Sequence, residues 1–309
     1  MMNFRYHLVS LIAVFVALSI GVILGSGPLQ SRISGALADK NATSSVADAQ
    51  ALAQAQALAS AEAAGLDAIA SNKLDGTLSG MKVITIGLPG ATAEDITTVS
   101  DQLSAAGAEV IGHVSLTDNF DNAGMSQYRE TLSNPLSSHM SNLPSSASGE
   151  AIISFGIVAV LTTTGSETDL VKEILTDDST PIMSIATDPA GATEAIVVVG
   201  PRASTTALAQ NSADASQSGV VERAPQAWMG LAQAVTSVPK SAVIIADAST
   251  DSSMGQVLRT QGAQVTSIDS PGTTLSAISA VISLKDASAT ARAYRSEERR
   301  VGKECLEWW

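Results

Sequence analysis

A long uncharged segment near the start of the chain constrains its fold and placement more than any other feature of the sequence. Leu8 to Leu29 contains no charged side chain. About 20 apolar residues in an α-helix cross the roughly 30 Å hydrocarbon core of a bilayer, so this segment is long enough to span a membrane. Residues 4–7, Phe-Arg-Tyr-His, form an aromatic and basic flank typical of the cytoplasmic interface. We predict that residues 1–33 are a retained, single-pass membrane anchor and that the domain beyond it is extracytoplasmic.

A cleaved signal peptide is the alternative to this anchor. Ala36-Leu37-Ala38 has the small-x-small form of a cleavage site. The apolar core is long, however, and Ser26 to Arg32 separate it from that site, so an uncleaved anchor fits better. Gly21 and Gly25 are spaced so that two such helices could approach closely, although this spacing is a weak indication of a dimer.

Residues 295–309 differ in composition from the rest of the chain. They are a dense run of mixed charge, whereas only 15% of the whole sequence is charged. The string RSEERRVGKEC resembles sequencing-adapter DNA translated as if it were coding, and its basic and acidic side chains balance. We predict that this segment is a non-native tail and exclude it from fold reasoning. A genuine solvated C-terminal tail is the alternative.

Charge and cysteine content exclude several classes of protein. The chain has 17 basic and 30 acidic residues and a net charge of -13. Binding to nucleic acid needs clustered Lys and Arg, so no nucleic-acid partner is expected. The single cysteine, Cys305, cannot close an internal disulfide or supply a zinc ribbon.

An Ala-rich stretch follows the anchor. Ser34 to Asn72 lacks proline, and Leu52, Ala59 and Leu66 recur every seven residues, with Ile69 three further on. This pattern predicts a helical stalk over residues 34–80 with a thin heptad seam. Because alanine is a good helix former but a poor packing knob, a solvated stalk and a weak dimeric coiled coil both remain open.

From residue 81 onward, short β-branched runs alternate with helical patterns. Met81 to Ile86 is predicted to be a strand that stops at a turn over Gly87 to Gly90. Thr92 followed by Asp95 offers a capping box for a helix that closes at Gly107. Glu109 to Val114 is then the next strand, which completes a β-α-β unit.

The same alternation continues along the chain. Further strands are predicted at Ile152 to Leu161, Ala195 to Val199 and Ala242 to Ala246, and further helices at Thr168 to Leu175, Pro225 to Val235 and Ser253 to Gln261. Such alternation predicts an α/β fold: one three-layer domain over residues 81–294, with a mostly parallel sheet covered by helices on both faces. A polar insertion around Leu116 to Ser148 is predicted to be mobile.

Two segments of the chain resemble a known family. Phe4 to Leu29 (FRYHLVSLIAVFVALSIGVILGSGPL) resembles the opening of the actinobacterial MctB family, the mycobacterial copper transport protein B group. Val265 to Leu284 is similar to the family's penultimate strand and helix. The resemblance implies a role in copper transport or homeostasis in an actinobacterial envelope, where a channel has been proposed for the mycobacterial type. It also implies a coiled coil at the position of the stalk.

The residues themselves give little sign of enzyme chemistry. Gly87 to Gly90 lacks the spacing of a phosphate-binding loop, and Glu94 and Asp95 would repel a phosphate there, so a tight turn is favoured. Asp247 and Asp251 follow a strand and could hold a cation, but loop solvation and helix capping need nothing extra and are preferred. No nucleophile elbow is present. We predict that the protein is not an enzyme and identify no certain cofactor.

The sequence also contains candidate ligands for copper, the metal that the resemblance implies. Cu(I) favours thiolates, thioethers and imidazoles. His139 beside Met140, with Met125 nearby, is the one local cluster of such groups, whereas His7 and His113 are isolated. We expect only weak Cu(I) binding, hardly changed by replacing all three, because a mobile loop must be ordered before it can coordinate.

A single transmembrane helix cannot enclose a path for an ion. Copper transport would therefore require a homodimer or larger oligomer formed through the helix and stalk, or an accessory role beside a carrier. The alternative function is a non-enzymatic extracytoplasmic scaffold that docks and regulates a partner in the cell envelope or in cell division. Copper-dependent growth of a deletion strain would separate the two.

Overall fold

A computed structural model describes residues 28–141, 143–187, 193–203, 222–286 and 293–294 of the chain. The chain divides into two compact units, Met1–Glu62 and Ala63–Trp309. Helix α1 (Pro28–Lys73) accounts for the described part of the first unit and for the start of the second. The predicted helix is therefore confirmed as far as Lys73, whereas residues 74–80 of the predicted stalk are not helical.

The second unit is built on a seven-stranded sheet of order β3-β2-β1-β4-β5-β6-β7. All neighbouring strands are parallel except β3, which is antiparallel to β2. The prediction of a mostly parallel sheet is confirmed. The strands are β1 (Lys82–Gly87), β2 (Glu109–Leu116), β3 (Met183–Thr187), β4 (Ala195–Val199), β5 (Ser241–Ile245), β6 (Thr266–Ile268) and β7 (Ala293–Tyr294).

Helices cover both faces of this sheet. Alternate residues of a strand point to opposite faces, so Ile84 and Ile86 join one hydrophobic cluster and Val83 joins the other. Helices α2 and α9 cover the Val83 face, and α4 to α8 cover the other. The helices after α1 are α2 (Ala93–Ala105), α3 (Asp118–Asp121), α4 (Ser126–Ser138), α5 (Gly149–Thr162), α6 (Ser166–Leu175), α7 (Pro225–Val235), α8 (Met254–Thr260) and α9 (Thr274–Lys285), with a 3₁₀ turn at Ala123–Met125.

The β1-α2-β2 unit follows the local signals of its sequence. The Thr92 hydroxyl accepts a hydrogen bond from the Asp95 N–H at 3.2 Å and so caps α2. The helix ends before Gly107, whose φ of 87° is one that glycine adopts without strain. Between β1 and α2, the Ala91 N–H donates to the Leu88 carbonyl at 2.9 Å, which closes the predicted tight turn.

The prediction of a strand at Ile152 to Leu161 is wrong, because this segment lies within helix α5. Ser148 caps the helix by accepting from the Ala151 N–H at 3.3 Å. The helix packs against α4, α6 and α7, and Ile153 and Ile157 are fully buried. A helix enclosed on nearly every side has no polar stripe, so its apolar run cannot be distinguished from a buried strand by periodicity.

The described part of the insertion around Leu116 to Ser148 is largely helical, which the sequence does not predict; its predicted mobility is not tested by the structure. Its described part contains α3, the 3₁₀ turn and α4, and it buries Phe120 and Leu136. Helix α4 is rich in serine and contains an asparagine, residues that are typical of loops, so the sequence does not indicate a helix there. Edge strand β3 is not predicted either, since its short run of Ser, Ala and Thr has no apolar alternation.

Among the residues that the structure describes, no helix has both the length and the apolar character needed to cross a bilayer. The predicted span Leu8 to Leu29 falls almost wholly within residues 1–27, outside the described part of the chain. The predicted tail, residues 295–309, lies outside it as well.

Candidate functional site

A cavity of about 520 Å³ lies on the α4 to α6 side of the sheet. Two of the predicted copper ligands, His139 and Met140, line it at the point where α4 ends. Phe155 and Val158 of α5 and Glu167 of α6 line the opposite walls. The cavity therefore combines imidazole, thioether, carboxylate and apolar groups.

A buried ion pair fixes α4 against α5, the two helices that place His139 and Phe155 at the cavity. Arg129 of α4 is fully buried and donates to both carboxylate oxygens of Glu150, from Nε at 2.6 Å and from Nη2 at 2.9 Å. Its Nη1 donates to the backbone carbonyls of Asn119 and Asn122. All three guanidinium nitrogens are thus bonded, which holds α3, α4 and α5 together.

His139 forms the C-terminal cap of α4, and its backbone N–H donates to the last carbonyls of the helix. Its ring Nδ1 lies 2.7 Å from Oε2 of Glu167. Because a carboxylate can only accept, Nδ1 carries a proton, and in the neutral imidazole Nε2 carries the free lone pair. Nε2 makes no hydrogen bond with any described residue. Metal-binding histidines commonly show the same arrangement, in which a carboxylate accepts a hydrogen bond from one ring nitrogen and so orients the other towards the metal.

Met140 lies against helix α5, next to the cavity. Its sulfur is 3.8 Å from the position that a Cβ would occupy at Gly156. A Cβ at Gly156 would be in ordinary van der Waals contact with that sulfur, and it would press against Val171 at 3.3 Å. Met140 is half-buried and packs on the hydrophobic cluster of that face.

Met125 is not part of this cavity. It precedes the first residue of α4, and His139 follows the last residue of this 13-residue helix. At 1.5 Å per residue the two lie about 20 Å apart along the helix axis. The structure therefore places His139 and Met140 on the same cavity and leaves Met125 at the other end of α4.

Glu167 is the site residue that the sequence does not reveal. It lies 28 positions after His139, in the first turn of α6, where acidic residues are common for reasons of helix electrostatics alone. Nothing in its neighbourhood distinguishes it from Asp169. The contact depends on the packing of α4 and α6 against α5, which is a tertiary arrangement.

The second described histidine, His113, has a structural role. Its Nδ1 lies 3.1 Å from the Thr85 carbonyl and its Nε2 lies 3.0 Å from the Ser115 hydroxyl. Burial lowers the pKa of the imidazole below its ordinary value, while the bond to the Thr85 carbonyl acts in the opposite direction. His7 lies outside the described residues. Across the described part of the chain, no cluster of three or more His, Cys, Asp or Glu side chains could hold a metal ion.

Open α/β folds usually bind ligands at the carboxyl ends of their central strands. In this protein that place is occupied by its own side chains. The strand order reverses between β1 and β4, which is the usual ligand crevice. There the Arg202 guanidinium is paired with the buried carboxylate of Asp95 at 2.5 Å. Pro201 approaches Gly90 so closely that a Cβ on that glycine would lie 3.3 Å from it.

The two aspartates after β5 stabilise their own loop. Asp247 accepts hydrogen bonds from the backbone N–H and the hydroxyl of Ser249, at 3.0 and 2.8 Å. Asp251 is exposed in the same loop. This geometry accords with loop capping, the explanation that the sequence favours over cation binding.

Comparison with known proteins relates the chain to one family. The family model described as "Copper transport outer membrane protein, MctB" matches residues 1–297. The "Copper transporter MctB" of Mycobacterium leprae is 36% identical over 137 residues, which are 43% of this chain and 43% of that protein. The proteins of the same name from Mycobacterium tuberculosis and Mycobacterium bovis are 31% identical over 137 residues, 43% of this chain and 44% of theirs. The matched segment thus spans less than half the length of these relatives.

Proposed function

This chain belongs to the MctB family, and from that premise we propose that it acts in copper transport or homeostasis, with His139 and Met140 as the copper-binding pair of its α/β domain. The description of the family names copper transport and an outer membrane protein. It names no enzyme, and we assign no catalytic step to this chain. The scaffold alternative is not favoured by these comparisons.

One observation carries the assignment of the copper-binding pair. The carboxylate of Glu167 accepts a hydrogen bond from Nδ1–H of His139, so that Nε2 of the neutral ring can act as a ligand in a cavity that Met140 also lines. An imidazole and a thioether are soft enough to suit Cu(I). Neither residue belongs to a loop that must first be ordered, since one caps α4 and the other packs on α5. In contrast to the weak binding expected from the sequence, we propose that both residues contribute to the affinity for Cu(I).

Two ligands on an open cavity wall suit transfer of copper better than its storage. The His139 side chain is 30% exposed and that of Glu167 is 64% exposed. A partly exposed pair can receive and release an ion without unfolding of the domain. This property is what a transport or accessory protein needs.

Membrane association is implied by the family description, and the finer topology is part of the proposal. Residues 8–29 would anchor the chain, with the α/β domain on the extracytoplasmic side. Because one helix encloses no path, we propose that the chain works as an oligomer assembled through its anchor and stalk, or beside a separate carrier. Leu52, Leu58 and Ile69 of the stalk are 59%, 59% and 63% exposed, and a second copy of α1 could cover them.

The copper-binding pair is tested by the Cu(I) affinity of the purified full chain, measured by competition with a chromogenic Cu(I) chelator. His139→Gln and Met140→Leu should each weaken binding at least ~10-fold, the equivalent of about 1.4 kcal/mol. Met125→Leu is the matched control, since it removes the same thioether at the other end of α4, and it should leave the affinity unchanged. Equal losses in Met140→Leu and Met125→Leu would contradict the assignment.

The role in cells is tested by growth of a deletion strain over a range of copper concentrations. We expect a copper-dependent growth defect that wild-type protein restores and the His139→Gln variant does not. A growth defect that is independent of copper would favour the scaffold instead.

A further inference from the structure

The cavity beside His139 and Met140 is much larger than a bare copper ion requires. Its volume of about 520 Å³ falls in the range of roughly 300–1,000 Å³ that is usual for pockets that hold small organic molecules. An ion bound by two side chains at one end would leave most of that volume unfilled. The size of the cavity therefore points to an organic component in the bound species.

The walls of the cavity suit a small amphipathic molecule. Val158 and Val171 are buried and Phe155 is half-buried, so one side is apolar. Hydroxyl groups line another side, where Thr163 Oγ1 and Thr168 Oγ1 lie 3.1 Å apart. These groups can pack against a short carbon chain and exchange hydrogen bonds with a polar end.

The charge of the lining restricts the molecule further. Glu167 is the one charged side chain among the described residues around the cavity, and no Lys or Arg is found among them. An anionic molecule would meet a carboxylate and no compensating cation. The organic component should therefore carry no net negative charge once it is bound to Cu(I).

Among the described residues that line the cavity, only His139 and Met140 carry soft ligands, one nitrogen and one sulfur, so a third soft donor can complete the coordination of Cu(I). A thiolate is the strongest candidate, because it is the softest common donor and its charge cancels that of Cu(I). As the Cu–S bond forms, the thiol releases its proton to solvent and copper remains Cu(I).

We infer that this site takes copper as the complex of Cu(I) with a small uncharged monothiol, whose thiolate joins His139 and Met140 on the metal and whose body occupies the cavity. The inference rests on the proposed function, since it requires that the pair binds copper. It adds the chemical class of the substrate and excludes the bare ion as the preferred form.

Equilibrium dialysis of the full chain in detergent, without oxygen, tests the inference. The probes are Cu(I) with radiolabelled N-acetylcysteamine, a small uncharged thiol, and Cu(I) with glutathione, an anionic one. We expect about one N-acetylcysteamine to be retained per bound copper, at least ~10-fold less retention of glutathione, and none of either without copper. X-ray absorption should then show one nitrogen and two sulfur neighbours.

Cavity-filling variants provide the control for position. Ala159→Leu places a larger side chain in the cavity from α5, and Ser237→Leu does so from the second residue after α7. Neither substitution removes a soft donor. We expect both variants to keep copper and lose the retained thiol. Using two elements guards against one variant that fails to fold.

The outcomes separate this inference from the proposed function. Copper bound without a retained thiol, or glutathione retained as well as N-acetylcysteamine, overturns the inference and leaves the copper-binding pair intact. Absence of Cu(I) binding under every condition overturns the copper-binding pair, and the inference with it.

Discussion

The guanidinium of Arg129 is enclosed by protein and lies in a two-bond fork with the carboxylate of Glu150, at 2.6 and 2.9 Å. This contact joins α4 to the first turn of α5. Since His139 caps the far end of α4, and Phe155 and Val158 line the cavity from α5, the pair sets the spacing of two cavity walls.

Replacement of Arg129 by methionine should destabilise the domain strongly. The change leaves the largely buried Glu150 carboxylate without its cationic partner. Removing one partner of a buried ion pair typically lowers the free energy of unfolding by about 3–5 kcal/mol. Lys240→Met is the matched control, because Lys240 forms a surface pair with Glu194 and such pairs contribute little. Urea unfolding should show a large loss for the first variant and almost none for the second. Similar losses would mean that burial of Arg129 is not what makes its pair important.

Two helical glycines should respond in opposite ways to alanine. A Cβ at Gly230 of α7 would lie 2.9 Å from the backbone of Ala151 in α5, so Gly230→Ala must separate the helices and should destabilise the domain by about 1–3 kcal/mol. Gly65 of α1 has no neighbour within 4 Å of the same position. Gly65→Ala should raise the stability by roughly 0.5–1 kcal/mol, since alanine favours helix. Melting temperatures of both variants test this, and a stable Gly230→Ala variant would contradict the close helix contact.

The β1-α2-β2 unit can be predicted from sequence because its signals are local. Thr92 lies three residues before the N–H that it caps, and Gly107 immediately follows the helix that it ends. Strands β4 and β5 are similarly predictable, since each is a short β-branched run in the centre of the sheet. Helix α5 is not, because its enclosure by three helices removes the polar stripe that would give it a helical period.

The candidate site is only half predictable for the same reason. His139 and Met140 are adjacent, so their proximity is visible in the sequence. Met125 lies far from His139 because the residues between them form a helix. The sequence predicts a mobile loop there, so it does not predict this distance. The contribution of Glu167 depends on packing between α4 and α6, for which no local pattern exists.

His113 should make the domain less stable in mild acid. Its pKa is lowered in the folded state from the ordinary value of 6.5, so below 6.5 the unfolded chain binds more protons than the folded one. The stability contributed by neutral His113 is therefore present above 6.5 and is lost as the pH falls from 6.5 towards the lowered pKa. His113→Gln should flatten the dependence of unfolding free energy on pH between 7.5 and 5, relative to wild type. Identical slopes would show that His113 does not titrate differently in the two states.

The proposed anchor gives a topological prediction. Alkaline phosphatase fused after Ala293 should be active, because that enzyme folds only outside the cytoplasm, and the fusion should stay with membranes after carbonate extraction. N-terminal sequencing supplies the second readout. A mature protein that begins near Asp39 would show cleavage and defeat the anchor.

Glu167 should govern the copper affinity of His139 although it does not bind the metal in the proposed site. Its carboxylate fixes the proton on Nδ1, whereas a glutamine can present its NH₂ group and favour the tautomer whose Nε2 is protonated and cannot coordinate. Loss of such an orienting partner typically lowers metal affinity by about 10–100-fold. Glu167→Gln should show a loss of this size in the Cu(I) competition assay. Glu173→Gln, which removes the same charge from the exposed side of α6, should have little effect.

A double-mutant cycle separates orientation of the ring from simple attraction between charges. If Glu167 acts through His139, then Glu167→Gln should weaken binding in the wild-type background and should change nothing further in the His139→Gln background. Additive losses would mean that the carboxylate acts on copper independently of the imidazole, either as a ligand or as a nearby charge. A charge effect would also appear in Glu173→Gln, whereas a ligand effect would not, so the four affinities together with that control distinguish all three roles.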